Sequence, residues 1–194
     1  TKFPVKSLDD LKGHKISAPG AAVNWLKDTG AVGVSGNLTT YYNDIKSGVA
    51  EGVIVFPTAA AAAKLHEVAP YVTKAHFGAQ YAGGIVAKKS WYDEQSSEVQ
   101  AALKAGAHAF ARSYEANLTL RVTKAFTEFE TGNAHVTELS EDVRKEWANK
   151  LPNLAQDWAA EQDAKGLEGT HVLEAYVTHL EEAGVHMPRD WSAK

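Results

Sequence analysis

The sequence predicts an α/β fold with a parallel sheet at its core and a long helix that bridges two lobes. Three observations carry this reading. The first 70 residues run in β-α-β-α order, which calls for parallel strands. Apolar residues recur every three or four positions from Val99 to Phe129, a span too long for one small lobe. Apolar residues make up 44% of the 194-residue chain, enough for one good core or two smaller ones.

Each element has a local reason. Ser7 is a suitable N-cap for a short turn over residues 8–12 that Gly13 ends. Residues 14–18 alternate as a strand, and Pro19-Gly20 opens a helix over 21–29 that Gly30 stops. Val32-Gly33-Val34 reads as extended, and residues 38–47 read as a helix closed by Gly48. The continuous apolar run from Gly52 to Phe56 suits a buried parallel strand. Pro57 then fits the first position of a helix that the alanines after it carry to Val68.

Residues 71–77 and 84–88 read as two further strands. The apolar spacing through Leu103, Phe110, Tyr114, Leu118, Val122 and Phe126 predicts one helix about 45 Å long, ended by Gly132-Asn133. Residues 135–139 read as a strand. Ser140 caps a helix predicted to hold Trp147, Leu151, Leu154 and Trp158 despite Pro152, and a last helix covers 170–182.

Composition narrows the partners. Twenty basic against 24 acidic residues give a formal charge of −4 with no basic face, which argues against nucleic acid and against an anionic membrane surface. The absence of cysteine excludes disulfides and cysteine-based zinc sites, and it suits an export compartment. Thr1-Lys2-Phe3-Pro4 lacks the apolar region of a signal peptide, so the chain is either never exported or without its leader. No apolar run approaches the roughly 20 residues of a membrane span.

Four segments in register, "SLDDLKGHKISAPG", "YYNDIKSGVAEG", "KLHEVAPYVT" and "KKSWYDEQSSEVQAAL", resemble the solute-binding subunits of TRAP transporters. That family's wording there is a D-L-K-G-x-K-[IL]-R-V-P strand, a Y-x-A-L-x-x-G-x-x-D-G turn, a K-x-x-E-V-x-K-Y stretch and a W-x-x-L-x-x-x-x-Q element. The resemblance runs from about Lys6 to Leu103, and the long helix continues it. It implies a type II periplasmic-binding-protein-like fold, two α/β lobes that close on a small organic acid and pass it to membrane subunits driven by an ion gradient. It also implies that the chain starts late in that fold, with an incomplete first lobe. Residues 1–83 would form the ligand-binding second lobe, 84–139 a strand and the bridging helix, and 140–194 helices packed on the lobes. The implied receptor is periplasmic and monomeric.

The same resemblance transfers site positions, and the sequence departs from most of them. The family's carboxylate-pairing arginine matches Ser17, which cannot form a bidentate charged pair. Ser17 is thus either an altered ligand contact or a small strand residue. The polar contact of the D-G-x-E-N turn becomes Val55, followed by Phe56. The position ahead of the tyrosine becomes Leu38, with Tyr41 following, and the T-N-H segment becomes Ala75-His76-Phe77. The wall formed by Leu38, Tyr41, Val55, Phe56 and Phe77 is then apolar and aromatic, unless these residues are simply core. Gly20, Asn24 and Trp25 open the helix after Pro19. Its free amides could hold an anion, and Trp25 could stack on an aromatic ligand or pack in the core. His76 could donate to a ligand oxygen or be structural.

No metal or cofactor is expected. His171 and His179 are eight apart, not the three or four a shared metal wants, and residues 75–81 carry no carboxylate. No nucleophile elbow, HExxH, P-loop or dinucleotide fingerprint is present, so no catalytic residue is assigned. The predicted function is a TRAP-type solute receptor for an organic acid with an apolar or aromatic body, or for a less acidic compound. A C4-dicarboxylate is disfavoured. A regulator's sensing domain, and after it an enzyme, are the alternative classes.

Overall fold

The computed structural model describes residues 1–77 and 85–193. Its strands form two parallel sheets. In the first, β1 (Lys15–Pro19) is central, flanked by β2 (Val32–Gly36) and β3 (Gly52–Val53). Register runs from Lys15 opposite Val32 to Pro19 opposite Gly36, and Ser17 also faces Val53. In the second, β4 (Tyr71–Lys74) pairs with β5 (His135–Glu138) from Tyr71–His135 to Lys74–Glu138. The opening residues join the two sheets: the Lys2 amide donates to the Glu51 carbonyl (2.8 Å), and the Tyr71 amide to the Thr1 carbonyl (3.1 Å). Gly52 permits this approach, because a Cβ there would run into the Thr1 side chain.

Helices cover both faces of the first sheet. On the Ile16 face, a turn of 3-10 helix over Gly20–Leu26 packs so close that a Cβ on Gly33 would sit 3.0 Å from Val23 Cγ2. On the Ser17 face, α1 (Tyr41–Ser47) lays the Tyr41 ring over Gly36, where a Cβ would lie 2.7 Å from Tyr41 Cε1. The main core is on the Ile16 side: Val5, Leu8, Leu11, Ile16 and Leu26 meet Leu139, Trp147 and Leu151 from the far end of the chain. A second core joins Ala61 of α2 (Pro57–Ala62) to Ala125 and Phe129.

After a short α3 (Lys89–Asp93), the spacing-based long helix is found as α4 (Ser97–Thr131), 35 residues or about 52 Å long. Only its C-terminal part is buried; residues 101–117 are exposed, Phe110 and Tyr114 included. Gly132-Asn133 ends it as read, with Asn133 in the left-handed region.

Several expectations need correction. Residues 85–88 form no strand and Gly84 lies outside the described residues; Ile85 and Val86 are exposed, with no sheet to pair or bury them. The tail helix is two: α5 (Glu141–Lys150) and α6 (Leu154–Ala164). Pro152 forces Leu151 into the extended region (ψ 146°) and cannot supply the amide that a continuous helix needs. The helix after Pro57 stops at Ala62, because Lys64 turns left-handed (φ 52°) and returns Leu65 to the core. The helix predicted over 38–47 starts only at Tyr41: Asn37 Oδ1 accepts from the Thr39 amide (3.0 Å), a local turn that competes with helix. α7 (Gly169–Glu182) folds back on α6 around Ala159, Leu173 and Val177.

Candidate functional site

A cavity of about 700 Å³ opens where the two sheets and α4 converge. Its floor is the Ile16 face of the first sheet and the segment Val53–Phe56 that leaves β3. One wall is β4 and its exit, Tyr71 to Phe77; the other is the C-terminal half of α4, with Tyr114, Leu118, Arg121, Val122 and Phe126. Val55 and Phe56 are placed here by Pro57, which stops the chain from extending β3 and starts α2 under the cavity.

Four of the ten residues singled out from the sequence line this cavity: Val55, Phe56, His76 and Phe77. His76 sits at a left-handed backbone position (φ 52°), just past β4. Its Nε2 lies 2.9 Å from Glu138 Oε1, and its carbonyl accepts from Arg144 Nη2 at 3.3 Å. Phe77 is the middle of an aromatic stack: Trp25 lies parallel to it at 4.7 Å, and Trp147 meets it edge-on at 4.6 Å. Trp147 Nε1 donates to the Trp25 carbonyl (2.7 Å), which ties α5 to the 3-10 turn.

The other six lie away from the cavity. Ser17 is 2% exposed on the opposite face of β1, beside fully buried Tyr41, because successive strand residues alternate faces. Leu38 is exposed in the turn before α1. Gly20, Asn24 and Trp25 belong to the 3-10 turn, and Trp25 packs against the main core through the Phe77 stack. Glu51, from the transferred turn, accepts from the Lys15 amide and from His14 Nδ1, both at 3.1 Å; these hold its carboxyl below the usual carboxylate range.

Sequence reading missed the α4 wall. Tyr114, Leu118, Val122 and Phe126 were legible only as an apolar stripe, and Arg121 between them carries the signal that could have marked a site. The positions three and four away are Asn117, Leu118, Lys124 and Ala125, none of which can pair with it on the helix. Among the described lining residues there is no Asp or Glu, while Lys74 and Arg121 bring permanent positive charge. The Lys74 ammonium lies over the Phe126 ring, 4.4 Å from its centre. Among the described residues, no group of His, Asp and Glu could hold a metal ion. Nor is any helix long and apolar enough to cross a membrane.

The family model for bacterial extracellular solute-binding proteins, family 7 (DctP), matches residues 1–162. A comparison with curated protein sequences gave no match. Among solved structures, the chain is similar to the periplasmic ectoine-binding protein of the TeaABC TRAP transporter of Halomonas elongata, with a TM-score of 0.80 and 17% identity over 93% of this chain and 59% of that one. It is also similar to a TRAP periplasmic solute-binding protein from a Sulfitobacter species with bound β-D-galacturonate (TM-score 0.72, 16% identity, 88% of this chain, 55% of that one). A third likeness is to a marine metagenome TRAP solute-binding protein specific for aromatic acid ligands, in complex with metahydroxyphenylacetate (TM-score 0.72, 20% identity, 88% and 55%). The chain therefore spans less than two thirds of the length of these neighbours and shares their α/β fold with parallel sheets.

Proposed function

Since the chain belongs to the bacterial extracellular solute-binding proteins of family 7, we propose that it forms part of an extracytoplasmic receptor for a TRAP-type secondary transporter. It binds a small organic solute in the cavity between the sheets and α4, and the loaded receptor delivers that solute to membrane subunits. The single observation that carries this is the cavity itself. Its volume of about 700 Å³ lies in the range of small-molecule sites, and its lining is mostly aliphatic and aromatic with a few polar groups. The solved neighbours bind ectoine, β-D-galacturonate and metahydroxyphenylacetate, so the solute class of this chain rests on its own lining. Val55, Phe56, Phe77 and His76 are the sequence-derived residues that contact it in this reading.

A thermal-shift screen against organic acids, aromatic compounds and small zwitterions tests the proposal. A solute at 100 times its dissociation constant adds about 2.7 kcal/mol. For a chain of this size that raises Tm by about 5–11 °C. A panel in which no compound moves Tm would overturn the receptor reading.

A further inference from the structure

The receptor reading leaves open what fixes the orientation of the solute, and this inference rests on that reading. Position 17, where a strand-end arginine would pair with a carboxylate, is a serine buried on the other face of β1. The cavity nevertheless has an electrostatic sign. Its described lining contains Lys74, Arg121, His66 and His76 and no carboxylate. The nearest acidic group in the hydrogen bonding of that lining, Glu138, is already engaged by His76 Nε2 at 2.9 Å. Lys74 is engaged as well, by the face of Phe126. Arg121 differs: among the described residues it makes no hydrogen bond or ion pair. The two arginines of the C-terminal region, in contrast, donate to carbonyls, Arg144 to His76 and Arg189 to Ala148 and Leu151.

We propose that Arg121 is the anion anchor of this cavity, pairing with the carboxylate of a monocarboxylic acid whose aromatic or aliphatic body lies along the α4 wall. A guanidinium offers two parallel N–H donors to one carboxylate, which fixes orientation as well as charge. Val122 and Phe126 follow it on the same helix and Leu118 precedes it by one turn, so the apolar body of such an acid has a surface on the anchor's own helix. Across the cavity, Tyr71 and Phe77 add aromatic rings to the lining from β4 and its exit. An acid held this way needs no cation from β1.

The test is calorimetric titration of benzoate and phenylacetate, and of benzamide and phenylacetamide, into the wild type and into Arg121→Gln and Arg121→Lys. The wild type should bind at least one acid tenfold or more tighter than its amide. Arg121→Gln should weaken that acid by about 10- to 100-fold, the loss of a charged hydrogen-bonded pair, and leave its amide within about twofold. Arg121→Lys should restore part of the loss. Because Arg121 is exposed, the melting temperatures without solute should agree between variants. Equal binding of the acid by wild type and Arg121→Gln overturns the anchor, and so does equal binding of acid and amide. A wild type that takes neither acid but responds to other solutes overturns the anchor and leaves the receptor standing. A wild type that responds to nothing in the wider screen overturns both.

Discussion

Trp147→Phe removes a side chain that joins the C-terminal helices to both the cavity wall and the turn after β1. Trp147 is 4% exposed, donates to the Trp25 carbonyl 122 residues earlier, and meets Phe77 edge-on. Phenylalanine keeps a ring but loses the N–H, leaving a partly buried carbonyl without that donor; this costs about 1–2 kcal/mol. The smaller ring leaves space in a core that cannot fully collapse, a fraction of the 3–5 kcal/mol of a full truncation and here about 1–2 kcal/mol. The sum, about 2–4 kcal/mol, lowers Tm by roughly 5–15 °C for a chain of this size. Thermal melts followed by circular dichroism read this directly. A double-mutant cycle of Trp147→Leu with Phe77→Leu should give a coupling of about 0.5–1.5 kcal/mol, because each substitution removes the ring contact from its own side. A Tm change below about 1 °C, or strict additivity in the cycle, would show that the stack does not hold α5 to the sheet.

Two further outcomes follow from burial and charge. Ser17→Arg places a cation in a buried position beside fully buried Tyr41, so it should cost about 3–5 kcal/mol and lower Tm by 10 °C or more; a stable variant with gained affinity for acids would put position 17 within reach of solute instead. Acidification should destabilise the fold through carboxyls held below their usual range. Asp10 accepts from the Lys6 and Ser7 amides (2.8 Å each), Asp163 from the Thr170 hydroxyl and amide, and Asp190 from the Ser192 hydroxyl and amide. Folded values below the unfolded ones stabilise fully above about pH 4 and lose that stabilisation as pH falls further, so Tm should decline as pH falls below about 4. A Tm that rises on acidification contradicts the assigned sign.

How much of this was legible in the sequence depends on whether the signal was local. β1, β5, the C-terminal end of α4 and the start of α5 follow from short-range rules: Gly13 ends the turn before β1, Gly132-Asn133 ends α4, and Ser140 accepts from the Val143 amide as an N-cap should. Pro152 was equally local, yet the apolar spacing across it suggested one helix. Packing of Trp147 and Leu154 on the same core needs only that the two segments meet, not that they be continuous. Residues 85–88 form no strand because no partner meets them among the described residues, which no single segment can reveal. Apolar residues there make a strand only where a neighbouring edge is free to bond them.

The lining of the candidate site was legible to the same degree and for the same reason. Val55, Phe56, His76 and Phe77 lie where chain order puts strand exits, and in parallel α/β folds strand exits border the ligand crevice. Which face of β1 looks into that crevice is a tertiary fact, decided by α1 packing on the Ser17 side and Trp147 on the Ile16 side. A single residue of register therefore separates Ile16 in the cavity from Ser17 behind it. The opposite wall comes from a helix some 60 residues further on, whose apolar stripe serves core and cavity alike. Within that stripe Leu118 and Phe126 could equally be packing residues. Arg121 is different in kind: it is an exposed cation at the edge of that stripe with no carboxylate one turn away to engage it on α4. Under the proposed anchor, the clue to the chemistry of the cavity is thus a missing partner, a feature that lies in what surrounds Arg121 and not in any motif.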